Sequence, residues 1–364
     1  MWVQAFFASI EHFLYIDWTK RIENKSKNSI DKSKGDETVK QHSKKTRKYM
    51  AVATVCGALL FGLVTSSPIN TYVTQLKVGV TPVQGQITIE EPFKEKIEQW
   101  QKEREEAPQD AYLDPVWKAI PGYNGRVIDV NATIAQMKKT GKQDESSIVY
   151  KEQMPKVQVE QLGAHPIYRG NPKKEAVCFM INVAWGNEYL DKILATLDRH
   201  KVKTTFFLDG SWVKRNPELA KKIYDRGHEI GNHAYSHPDM SKLGEARIRQ
   251  EISKTQDIIS KTIGLKPSLF APPSGSFNQR VVEIAHQDYQ MKTILWTADT
   301  IDWKNPPVGT MVERIRKKLD KGVLILMHPT DSSSKGLDQM LTLAEKKGLK
   351  PTTVSEVISS RRLP

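Results

Sequence analysis

The sequence predicts an α/β fold, a (β/α) barrel that follows an N-terminal membrane segment and a small module. From about residue 175 onward, apolar runs of strand length alternate with amphipathic runs of helical length, and such alternation implies parallel strands covered by helices. Strands are expected at 176–182, 204–208, 229–232, 268–271, 292–296 and 323–327, and helices at 188–199, 217–225, 244–263, 279–286, 308–319 and 336–346. A second observation is positional. Asn182, His233, Pro272, Asp299 and His328 all fall at or just past the end of an expected strand, where a closed α/β barrel carries its chemistry. The third is size: 364 residues, 38% of them hydrophobic, suffice for one large domain with appendages.

Taken in chain order, residues 1–48 are basic and polar, with a Ser/Asn/Lys-rich stretch expected to be disordered. Residues 49–66 form an uncharged apolar run directly after Lys44, Lys45, Arg47 and Lys48. A basic flank before an apolar run is the pattern of an exported protein whose N-terminus stays in the cytoplasm. An uncleaved single-pass anchor in the cell membrane is expected, with the C-terminal domain extracellular; secretion after cleavage near Thr65 and Ser66 is the alternative. Residues 67–112 read as a stalk containing a charged, exposed helix around Trp100, and 113–171 as a small accessory module rich in turn residues. The main domain is expected over 172–364.

Of the formal net charge of +13, the portion after the apolar run carries about +8, spread without a Lys/Arg run interleaved with aromatics. Nucleic acid is thereby disfavoured as a partner, and an anionic cell-wall surround suits the charge. The chain has two cysteines, Cys56 in the apolar run and Cys178 in an expected buried strand, so no structural disulfide is expected.

The most informative stretch is Gly-Asn-His233-Ala-Tyr-Ser-His237-Pro. A divalent metal needs neutral imidazoles converging on one point, and two histidines four residues apart supply them. Alone, such a pair is more often a polar structural feature. Downstream stand Asp299-Thr-Ile-Asp302-Trp303 and Leu326-Met-His328. With these the chain, over roughly 172–360, resembles the polysaccharide deacetylases of the NodB homology type, carbohydrate esterase family 4. The resemblance implies a distorted (β/α) barrel of about seven strands. It also implies a divalent metal, zinc first and cobalt second, and removal of acetyl groups from N-acetylglucosamine units of cell-wall glycan. His233 and His237 would be metal ligands, His328 the general acid, and Asp302 or Asp299 the group that holds its ring.

The departures matter as much. Where the family has Thr-Phe-Asp-Asp-Gly, this chain reads Met180-Ile-Asn182-Val-Ala-Trp185-Gly186, so Asn182 stands in the place of the catalytic carboxylate. Where the family has Arg-Pro-Pro-Tyr-Gly, it reads Ala271-Pro272-Pro273-Ser274-Gly275. The two losses are chemically linked, because an arginine facing a neutral amide would be a poorly compensated buried charge. Glu188 is a candidate stand-in carboxylate, although an exposed place in the first turn of a helix is its ordinary role. Pro272, Pro273, Ser274, Trp185 and Trp303 are expected to line the glycan groove, the tryptophans by stacking on sugar rings. A hydrolase for a different acyl substrate stays open because Ser274 replaces the tyrosine of the groove wall, and two main readings follow. One is a membrane-anchored, metal-dependent deacetylase with a remodelled, weak site; the other is a non-catalytic glycan-binding or sporulation morphogenetic protein that keeps the groove.

Overall fold

The computed structural model describes residues 91–362. The expected cytoplasmic segment, the membrane segment and the first part of the stalk lie outside the described residues. Among the described residues, no helix is long and apolar enough to cross a membrane.

Helix α1 (Glu91–Arg104) does form, but it is not a free stalk. Ile97 and Trp100, one turn apart on one face, are buried together with Ile128 and Met137. The charged composition hid a short apolar stripe, which is enough to dock a helix. The accessory module consists of the hairpin β1 (Tyr112–Asp114) and β2 (Lys118–Ile120), then β3 (Gly125–Ile128) paired antiparallel with β4 (Tyr150–Gln153). Helix α2 (Val130–Thr140) bridges the second pair, capped by Asp129 at its start and by left-handed Gly141 at its end.

The main domain begins with β5 (Ala176–Val183), all eight residues of which are buried. There follow α3 (Asn187–Arg199), β6 (Thr205–Leu208), α4 (Gly210–Arg215), α5 (Pro217–Asp225), β7 (Glu229–Asn232) and α6 (Glu245–Ile263). The chain continues through β8 (Leu269–Phe270), α7 (Gln279–Tyr289), β9 (Lys292–Thr293), β10 (Ala298–Asp299), α8 (Val308–Lys318) and β11 (Leu324–Met327). It ends with α9 (Asp331–Lys346), β12 (Lys350–Pro351) and α10 (Val354–Ile358). The strands are parallel in the order β10-β11-β5-β6-β7-β8-β9, with β12 also pairing to the start of β5.

The seven strands form a curled half-barrel, the expected distorted barrel left open between its two edges, β9 and β10. The expected strand 292–296 is cut to two residues, followed by a single bridge at Ile294, and the next strand begins at Ala298. Residues of the linking segment take up the opening. The Ile167 amide donates to Thr293 O at 2.9 Å, and its carbonyl accepts from the Leu295 amide at 2.8 Å. Arg169 bridges Val323 and donates through Nη2 to Lys321 O at 2.7 Å. An edge that would expose unpaired backbone is thus covered by the chain's own strap.

The sheet divides two apolar layers, and period-two alternation decides which residue enters which. On β5, Val177, Phe179, Ile181 and Val183 face the helices, whereas Ala176, Cys178 and Met180 face the concave interior with Phe207, Leu269, Ile294 and Leu324. By the same alternation Asn182 continues the concave face. Cys178 is a packing residue there, its thiol pushed up to about 12 by burial.

Candidate active site

Strand tips on the concave side surround a cavity of about 440 Å³ lined by Asn182, Ala184, Trp185, His233, His237, Ser274, Trp296, Asp299, Trp303, Leu326 and His328. The three histidines expected to act together do share this pocket.

His233 follows β7 directly. Its Nδ1–H donates to Ala271 O at 2.7 Å, which leaves the Nε2 lone pair for the groove. Burial, followed by the neighbouring His237 ring, pushes its pKa down to about 3, so the imidazole is neutral throughout the physiological range. The His233 and His237 rings meet edge to face with centroids 5.2 Å apart. The intervening loop is forced: Ala234 and His237 both have left-handed backbones, at φ 59 and φ 55. Such conformations persist only where surroundings impose them. Glu251, fully buried on α6, does so. It accepts from the Tyr235 and Ser236 amides, each at 2.8 Å, from Ser236 Oγ at 2.8 Å, and pairs with Arg247. Asn232 Oδ1 adds a bond from the Ala234 amide at 2.9 Å.

On the opposite side, His328 follows β11. Its ring Nδ1 lies 2.8 Å from Asp302 Oδ1, and its amide donates to Asp302 Oδ2 at 2.6 Å. Asp302 is fully buried, and this two-point grip turns Nε2 of His328 to the groove. Of the two carboxylates considered for that role, Asp302 holds the ring; Asp299 lines the groove and accepts from the Ile301 amide at 2.7 Å. The Trp185 ring stacks on His328 with centroids 5.7 Å apart and planes 13° off parallel. Gly186 makes this turn possible: its φ is 82, and a Cβ there would lie 2.0 Å from Pro329 O. Trp185 and Trp303 stand about half exposed at the rim.

Asn182 completes the floor. It is buried, and its Oδ1 has no hydrogen-bond partner. A buried orphan acceptor costs about 1–3 kcal/mol and therefore points to a ligand, ion or water that the fold alone does not supply.

Ser274 reaches the groove from a left-handed position (φ 55), but Pro272 and Pro273 do not line it; they shape the short turn that carries Ser274. Glu188 lies exposed in the first turn of α3, away from the pocket, so it does not replace the missing carboxylate. Three participants escaped sequence reasoning: Trp296, Glu251 and Asp209. Trp296 packs on Gly275, where a Cβ would meet its ring at 2.8 Å, and it forms a groove wall. Asp209, at the tip of β6 between the strands of Asn182 and His233, is buried with Oδ2 unpartnered, while Oδ1 caps α4 through the Trp212 amide at 2.8 Å. Burial raises its pKa, opposed by Ser211, the Trp212 amide and His237. Its signal was visible as a carboxylate directly after the Thr-Phe-Phe-Leu run, yet a helix cap explains that residue equally well.

As a cation site the arrangement is partial. Two imidazoles, one locked as the Nε2 donor, and the orphaned Asn182 Oδ1 are the right donor chemistry for a divalent ion. Among the described residues, however, no group of three or more His, Cys, Asp or Glu gathers as a full ligand set.

A sequence model of the family described as polysaccharide deacetylase matches residues 169–294. The uncharacterised protein YlxY of Bacillus subtilis is 49% identical over 273 residues, covering 75% of this chain and 85% of that protein. A peptidoglycan-N-acetylglucosamine deacetylase of Bacillus cereus is 32% identical over 180 residues, 48% of this chain and 65% of that protein. Among solved structures, a carbohydrate esterase family 4 pseudoenzyme from Bacillus anthracis superposes with a TM-score of 0.70 at 46% identity. That match covers 74% of this chain and 95% of the other.

Proposed function

From the premise that this chain belongs to the polysaccharide deacetylase family, carbohydrate esterase family 4, we propose that its groove takes N-acetylated cell-wall glycan. Deacetylation there is slowed by orders of magnitude or absent. One observation carries this reading: the Asp302–His328 pair faces the groove intact, while the buried position across from it is the amide of Asn182 rather than a carboxylate.

In hydrolysis of an acetamide, a water must lose a proton as it attacks the carbonyl, and the departing nitrogen must gain one. His328 suits the second task, with its Nδ1 occupied by Asp302 and its Nε2 turned to the groove. Asn182 cannot perform the first, because an amide does not accept a proton near neutral pH. Loss of a general base alone lowers the rate about a hundred- to ten-thousandfold. We propose that His233 and His237 would hold a divalent ion, zinc before cobalt, and that an ion so held would polarise the acetyl carbonyl. Without a carboxylate ligand its affinity is expected to be low. The non-catalytic glycan-binding reading is favoured specifically by Asn182 and by the pseudoenzyme character of the Bacillus anthracis relative. The same proposal places the domain outside the cell membrane, tethered by residues 49–66.

Acetate release from N-acetylglucosamine oligomers and peptidoglycan, measured during zinc and cobalt titration, tests the reading. Slow, metal-stimulated release that disappears in His328→Ala supports a weak enzyme. No release together with retained glycan binding supports the second reading, and neither release nor binding overturns both.

A further inference from the structure

Building on the glycan reading of the groove, we propose that the site reads the acetylation state of the sugar. It holds N-acetylated glycan and turns away the deacetylated form, and Asn182 is the specificity-determining residue.

The argument begins with complementarity. An acetamide group presents one N–H donor, one carbonyl acceptor and a methyl group, whereas a deacetylated sugar presents an ammonium with three donors and a full positive charge. A carboxylate offers only acceptors and a negative charge, so it suits the ammonium. A side-chain amide offers both an acceptor and donors without charge, and it matches the acetamide group for group. Asn182 is such an amide, it lines the groove, and its buried Oδ1 awaits a donor.

The surroundings select in the same direction. The lining residues include one carboxylate, Asp299, and one of its oxygens already accepts from the Ile301 amide. Asp302 lies behind His328 with both oxygens engaged by that residue. Asp209, at the tip of β6, is not part of the lining; its Oδ1 is taken by Ser211 and the Trp212 amide and its Oδ2 is unpartnered. An ammonium entering here would therefore meet Asp299 as the one carboxylate of the lining and a neutral amide at Asn182. Ala184, Leu326 and the Trp185 and Trp296 rings instead offer apolar wall to an acetyl methyl. An amide at this position thus both weakens turnover and matches the uncharged, acetylated form of the glycan.

The test compares binding of the N-acetylglucosamine tetramer and the glucosamine tetramer by calorimetry at neutral pH, with a chelator present so that no variant consumes its ligand. The wild-type chain is expected to favour the acetylated tetramer by about tenfold or more, the usual scale for a buried polar mismatch. Asn182→Asp, nearly isosteric, should narrow or invert that ratio by gaining affinity for the glucosamine tetramer. Asn182→Ala should lose acetylated binding without such a gain. Equal wild-type affinities, or a ratio unchanged in both variants, overturn the inference while leaving glycan binding intact. Failure of both tetramers to bind overturns the glycan reading itself. Melting curves identify any variant that fails to fold, and Asn182→Gln then tests the position with the amide retained.

Discussion

At the scale of single residues, the site separates into a preserved half and an altered half. Asp302 and His328 retain a hydrogen-bonded geometry with no evident purpose other than orienting an imidazole, while Asn182 leaves an acceptor unsatisfied. If the missing carboxylate is what limits turnover, Asn182→Asp combined with Ala271→Arg should raise acetate release from N-acetylglucosamine oligomers by roughly a hundredfold or more. No gain in the double variant would mean that the two strand tips do not correspond to those of active relatives. Asp209 gives a second residue-scale prediction. Its folded pKa is raised by burial, so its charged form opposes folding above that pKa, and stability is gained as pH falls through it. Asp209→Asn keeps the cap oxygen and removes the charge; it should raise the melting temperature at pH 7 by a few degrees, a gain that fades toward pH 4. A lower melting temperature at pH 7 would show that the charged Oδ2 has a partner. The histidine pair, the Asp302-Trp303 step and His328 were legible in the sequence because metal and acid–base chemistry restrict residue type. Trp296 and Glu251 were not, since an aromatic or a glutamate at an unremarkable spacing carries no chemical signature until the fold brings it to the pocket.

Among the elements, the loop from β7 to α6 shows how the scaffold sets up the histidines. Its two left-handed residues are held by a carboxylate on the following helix, 14 positions beyond His237. Glu251→Ala leaves the Tyr235 and Ser236 amides without their acceptor and Arg247 without its partner. It should cost about 3–5 kcal/mol in urea unfolding and abolish glycan binding even where the protein stays folded. Glu251→Gln, which keeps one acceptor oxygen, should recover part of both. A loss no larger than about 0.5 kcal/mol in the alanine variant would exclude Glu251 as the clamp. Strands and helices were broadly readable from periodicity, most clearly β5 and α6. The short pieces were not: α4 and α10 have too few residues to show a period, and the Ser-rich start of α9 becomes helical because Thr330 caps it. The expected helix around Trp100 formed, but not as an exposed one, since two residues, Ile97 and Trp100, suffice to fasten α1 to the module.

For the molecule as a whole, the open sheet makes burial of polar groups conspicuous. His228 and His233 are both held neutral, with pKa values pushed down to about 4 and about 3, chiefly by burial. In the unfolded chain both titrate near 6.5, so between these values the unfolded state binds more protons, and stability is lost as pH falls from about 6.5 toward 4. The urea midpoint should therefore drop steadily between pH 7 and pH 4.5, and His228→Asn, which can still accept from the Thr204 amide, should flatten that slope. A flat profile in the wild-type chain would contradict neutral burial. The amino-acid order by itself determined the α/β class, the alternation of its elements and the chemical character of the pocket, because side-chain periodicity and metal-type spacing are local properties. Only the tertiary structure decided that the sheet stays open under the Ile167 strap, that Asp302 rather than Asp299 grips His328, and that Glu188 stands apart. Each of these depends on contacts between residues distant in the chain, which packing selects and local sequence does not encode.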